Sequence, residues 1–177
     1  MKKLLIALSL LLCAGCNTFD LDEKWRPLEQ MVERPHVGGM DEITTTVGTR
    51  IYREDIFGFL AENPPGSPSF DALLYHEQVH SKRQLRMGLT KWLAKYGSDT
   101  AFMWSEEQLG YYAGIMETLR RGGYVHPEHR AASLASYVSP VGKMVSYEDA
   151  LRWINDVLSG AWKPDEADMW SMPDFLK

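Results

Sequence analysis

His76, Glu77 and His80, within His76-Glu77-Gln78-Val79-His80, have the types and spacing needed to hold a metal ion and activate water on it. On an α-helix, positions four apart differ by about 40° around the axis and about 6 Å along it. Both imidazoles can then reach one ion at about 2.0–2.1 Å, the usual zinc–imidazole distance. Glu77 points about 100° away from His76, too far round for a comfortable third ligand but well placed to take a proton from a water on the ion. With five histidines in 177 residues, a shuffled chain would contain His-Glu-x-x-His on the order of 0.01 times, so composition does not account for it.

The spacing has this meaning only on a helix, and the flanking residues supply one. Ser67 is an N-cap candidate, Pro68 suits the first helical position, and Phe70, Leu73, Leu74, Val79 and Leu85 recur at roughly helical intervals up to a stop at Gly88. Before it, Glu42 to Val47 and Thr49 to Arg53 read as one or two short strands about Gly48, and residues 61–69 as a loop. After it the chain reads as helical. A short segment runs from Leu89 to Tyr96, and a second helix, capped at Ser98-Asp99, carries Glu106 and Glu107 to Gly122-Gly123. A third runs from Pro127 to about Tyr137, and a fourth from Ser146, with Asp149 completing a capping box, to Gly160. The tail from Trp162 lacks periodicity and is expected to wrap the surface. The expected class is α+β, mostly α, with a small sheet or hairpin ahead of the metal helix.

The N-terminus carries a different signal. Lys2 and Lys3 precede an apolar run, Leu4 to Leu12, too short to span a bilayer, followed by Cys13-Ala14-Gly15-Cys16. This resembles the lipobox of bacterial lipoproteins, with cysteine where leucine is usual at position 13; the alternative is an ordinary secretory signal cut nearby. The resemblance implies a signal peptide over residues 1–15, lipid on Cys16, and attachment to a bacterial envelope membrane. Because Asn17 is not the aspartate associated with inner-membrane retention, it implies the periplasmic face of the outer membrane. Residues 16–35 are then expected to be a lipidated tether and 36–177 the domain. No other cysteine exists, so disulfides, thiol nucleophiles and thiolate ligands are excluded from the domain. A net charge of −5 without basic clusters argues against nucleic acid.

Zinc in hydrolytic sites usually has three protein ligands and one open position. The candidates for the third are Glu107, Glu106, Asp99, His126, His129 and His36. Glu107 leads, because 27 positions after His80 suffice to end one helix, turn and bring back a second beside it. Glu106 is its competitor, adjacent helical positions being separated by about 100°. For either, a solvated helix face is the commoner fate of a Glu-Glu pair. His126, His129 or a tyrosine could serve an oxyanion.

Taken together, His76 to His80 with Gln84 and Gly88, then Trp104-Ser105-Glu106-Glu107-Gln108-Leu109-Gly110-Tyr111, resemble the gluzincin metallopeptidases over about residues 42–122. They are most similar to small bacterial members with a His-Glu-x-x-His helix and a Glu-x-x-Ala-Tyr helix. Gly110 replaces the alanine, and Arg83 stands where glutamine is common. The resemblance implies a zincin-like fold, Zn²⁺ held by His76, His80 and Glu107, Glu77 as general base, and a peptide or protein substrate. The rival expectations are a catalytically inactive zincin-fold lipoprotein that binds or inhibits a partner in the envelope, and a purely structural metal.

Overall fold

The computed structural model describes residues 17–35 and 44–177. It is α+β and mostly helical, with two small sheets. Four strands, β1 (Thr18–Asp20), β2 (Gln30–Glu33), β3 (Thr45–Val47) and β4 (Arg50–Arg53), form a sheet in the order β1-β2-β4-β3. The β2–β4 pair is parallel and the other two pairs are antiparallel, with Met31 and Thr46 flanking Ile51. Met31 and Ile51 are fully buried and pack with Trp25, Leu28, Ile56, Phe70 and Leu74. Burying such side chains is worth about 1.5–3 kcal/mol each, which is why the N-terminal segment joins the fold. The expectation that residues 16–35 form a tether is therefore corrected over 18–33: Trp25, Leu28 and Met31 are core residues, and a parallel pairing with β4 recruits them. Cys16 and the signal segment, like His36, lie outside the described residues.

Helices α1 (Ile56–Glu62), α2 (Pro68–Met87), α3 (Leu89–Ser98), α4 (Thr100–Arg120), α5 (Pro127–Ala135) and α6 (Tyr147–Ser159) follow, with a two-stranded hairpin, β5 (Val138–Ser139) and β6 (Gly142–Lys143), between α5 and α6. α2 starts where Ser67 Oγ accepts from Phe70 N and Pro68 needs no donor, and it ends at Gly88, φ +88°. Asp99 caps α4 and Ser146 caps α6 in the same way. α1 has no counterpart in the sequence reading. Its N-cap, Asp55, accepts from Gly58 N, but seven residues with an internal glycine carry too little periodicity to be seen.

Two contacts position the site. The first ties α2 to the β3–β4 turn: Gln84 accepts from Gly48 N at 2.7 Å and donates to Thr46 O at 2.9 Å, and Ser81 Oγ donates to Gly48 O at 2.7 Å. Gln84 and Ser81 are wholly buried, where an unmade hydrogen bond would cost about 1–3 kcal/mol. The second is the close approach of α2 and α4. A Cβ on Gly114 would lie 3.0 Å from the Ala72 carbonyl oxygen, so glycine is what lets the two backbones come so near.

The C-terminal tail does more than wrap the surface. Met172 is fully buried against Val79, Leu109 and Ala113, and Asp168 takes an ion pair from Arg83 at 2.6 Å.

Candidate metal centre

α2 presents His76 and His80 one turn apart toward α4, and α4 presents Glu107 toward them. His76 Nε2 and His80 Nε2 are 3.0 Å apart, and Glu107 oxygens lie 3.6 Å from the first and 3.4 Å from the second. A tetrahedral ion with bonds of about 2.0–2.1 Å sets its ligand atoms about 3.3–3.4 Å apart, the middle of that range. His80 and Glu107 are buried, and His76 keeps a narrow exposure of 14% of its side chain.

The residues fit a cation on further grounds. Glu107 Oε2 is buried without a hydrogen-bond partner, and a carboxylate oxygen so placed needs one. Gly110 faces the same point from α4: a Cβ there would lie 3.0 Å from His76 Cε1, His76 Nε2 and His80 Nε2. The glycine that departs from the expected alanine thus lets α4 come down onto the imidazoles. Two imidazoles and a carboxylate suit zinc and other divalent first-row ions alike.

Of the two glutamates, it is Glu107 that faces the histidines. Glu106 points to the other side of α4, where it takes two 2.8 Å bonds from Arg83 and one of 3.0 Å from Trp92 Nε1. Its position is that of a buried structural anion. Asp99 is occupied as the α4 cap. His126 and His129 are exposed, their rings 5.2 Å apart at the start of α5, and neither lines the cleft beside His76 and Glu77.

No protein family, curated protein or solved structure matches this chain.

Glu77 faces the cleft next to His76, where Thr46 Oγ1 donates to its Oε2 at 2.7 Å. Burial raises its pKa to about 7, against the lowering effects of Thr46 and Arg53. Burial also pushes Glu107 up to about 8, opposed by the Tyr96 hydroxyl, which donates to Oε1 at 2.5 Å, and reinforced by the charges of Glu77 and Glu106. The histidines move the other way. Burial takes His80 down to about 4, and burial, then His80 and Arg130, hold His76 well below its ordinary value. Without a cation, the site favours neutral imidazoles, which are the metal-binding form, and protonated carboxyls.

The cleft has a volume of about 540 Å³ and is walled by α2, α4, the β3–β4 hairpin and α5. Thr46, Tyr96, Arg130 and Tyr137 did not stand out in the sequence. Tyr96 follows Trp92 by one turn, their rings stacked at 4.5 Å, and this i, i+4 aromatic pair was the available signal for the tyrosine that steadies Glu107. Tyr111, whose ring meets His76 edge-on at 5.0 Å, lines the cleft, while Tyr112 packs on Trp162.

Proposed function

We propose that this chain is a zinc-dependent hydrolase of peptide (amide) bonds with a zincin-like fold, in which His76, His80 and Glu107 hold the ion and Glu77 is the general base. The observation that carries the reading is the convergence of two imidazole nitrogens, 3.0 Å apart, with the two oxygens of the Glu107 carboxylate, 3.6 Å from one and 3.4 Å from the other, and an acid facing a cleft beside them. When bound, the ion would polarise a carbonyl and lower the pKa of water toward neutrality.

The protein's own groups do the rest. Thr46 occupies one oxygen of Glu77, and the other has no hydrogen bond among the described residues, so it is available to take a proton from water and return it to the leaving amine. A pKa near 7 suits that exchange. Tyr96 fixes Glu107, and Gly110 leaves room for the imidazoles. β3 ends the four-stranded sheet among the described residues, and Thr44 beside it lines the cleft, so an extended chain could pair along that edge.

Anchoring to a bacterial envelope membrane through lipid on Cys16 completes the proposal. No helix among the described residues is long and apolar enough to cross a membrane; lipid on Cys16 would supply an anchor that needs none.

The test is a pair of variants. Glu77→Gln should keep one metal ion per chain and lose turnover by at least about 10²-fold, whereas His80→Ala should lose both. Undiminished peptide hydrolysis by Glu77→Gln, or a wild-type protein that takes up no metal, would overturn the reading.

A further inference from the structure

The wall of the cleft opposite Glu77 comes from α5. Arg130 and Ser133, one turn apart on α5, and Ser136 and Tyr137, which follow its end, line the same cavity as His76 and Glu77. Tyr137 and Ser133 lie close enough to Tyr111, and Tyr137 to Glu107, to influence their ionisation, so this wall adjoins α4. Arg130 is different from its neighbours. Its guanidinium has no hydrogen bond and no ion pair among the described residues. The other arginines close to the metal centre are engaged: Arg83 with Glu106 and Asp168, Arg53 with Thr44 and the Phe59 ring. Arg130 is exposed and offers the cleft a positive charge that no carboxylate among the described residues takes up. A cavity of about 540 Å³ takes a short peptide.

We propose that Arg130 is the specificity residue of this cleft, and that the substrate is a short peptide whose free carboxylate docks on its guanidinium while a nearby amide bond reaches Glu77. This rests on the hydrolase reading above. A guanidinium binds a carboxylate through two parallel N–H···O bonds, which fixes direction as well as affinity. Ser133 and Ser136, one turn apart on the same wall, offer hydroxyls alongside. The singly charged carboxylate is favoured over a phosphate dianion because the carboxyl of Glu77 shares the cavity.

The test compares the full chain, loaded with zinc, on three pools of short random peptides read by mass spectrometry: free C-terminal carboxylates, the same peptides amidated, and amidated peptides with one fixed aspartate. The wild type should cut the free-carboxylate pool with kcat/KM about tenfold or more above the amidated pool. That ratio should collapse toward one in Arg130→Gln and return in part in Arg130→Lys. Preference for the aspartate pool alone would assign the subsite to a side-chain carboxylate. A wild-type ratio near one, or a ratio unchanged by Arg130→Gln, overturns the proposal.

If the wild type cuts no pool, the hydrolase reading fails on its own, and calorimetry decides the subsite. N-acetyl-Ala-Ala as free acid, its amide, and inorganic phosphate are titrated into zinc-loaded Glu77→Gln, with and without Arg130→Gln. Binding of the acid that Arg130→Gln abolishes supports the assignment. Acid bound equally after Arg130→Gln is held by the metal alone, and phosphate bound more tightly than the acid marks a general anion site; either result overturns it.

Discussion

Thr46 Oγ1 donates to Glu77 Oε2 at 2.7 Å, joining the edge strand β3 to the helix that carries both histidines. Gln84 takes hold of the Thr46 carbonyl from the same helix, so the strand cannot slide without breaking a buried bond. The hydroxyl therefore sets which way the carboxylate of the proposed base faces.

Thr46→Val, which keeps the shape and removes the donor, should lower kcat about tenfold with little change in KM or in metal content. Steady-state kinetics with metal analysis on the same sample checks this. A variant that loses metal would show that Thr46 holds the fold of the site instead of aiming Glu77.

Metal loading should release a proton that does not come from histidine. Glu107 stands at about 8 in the metal-free protein, while His80 at about 4 and His76 well below its ordinary value are already neutral at pH 6.5. Calorimetry in buffers of different ionisation heat should find about one proton released near pH 6.5, falling away above pH 8. Release of protons that tracks a midpoint near 6.5 would assign it to the imidazoles.

The same shifts give the metal-free protein a stability that depends on pH from two sides. A carboxyl raised from 4.5 to about 8 favours the folded state fully below pH 4.5, and that contribution is lost as pH climbs through 8. An imidazole lowered from 6.5 to about 4 contributes fully above 6.5 and is lost as pH falls toward 4. Melting of metal-free Glu107→Gln against wild type should therefore show the variant gaining between pH 5 and 8.5. A constant difference across that range would count against the raised Glu107.

The two glutamates should fail differently. Glu106→Gln leaves the Arg83 guanidinium without its buried partner and should cost about 3–5 kcal/mol in stability while metal content stays near one per chain. Glu107→Gln should do the reverse. Urea unfolding and metal analysis of both variants separate structural anion from ligand.

Gly110 and Gly114 give a matched pair. Replacing either with alanine gains about 1 kcal/mol of helix propensity. At 114 the added Cβ meets the Ala72 carbonyl oxygen, backbone that cannot give way, so Gly114→Ala should be destabilising by about 1–3 kcal/mol. At 110 it meets imidazole atoms, which can turn, so Gly110→Ala should fold normally and bind metal about tenfold more weakly. Thermal melting and a metal competition titration give both numbers.

Much of this site was legible because it is local. The His76–His80 spacing needs only one helix, and Ser67, Pro68 and Gly88 mark that helix within a residue of where it lies. Glu107 was reachable because 27 positions are enough for α2 to end, the short α3 to intervene and α4 to return beside it. Thr46, Arg130 and Tyr137 were not, since each meets the site through a tertiary approach that leaves no period in the chain. The N-terminal strands were missed for the same reason: β1 and β2 are three and four residues long, and β2 pairs in parallel with a strand 20 positions later.

Thr18 already pairs with Val32, so a single residue, Asn17, separates Cys16 from the sheet. An acyl chain on Cys16 would then bring the domain within about 7 Å of the headgroups, two residues of extended chain. A body anchored in that way would have little freedom to swing over the bilayer. Its cleft would have a set height and bearing, and would meet what diffuses in the plane of the lipid surface more readily than what floats above it.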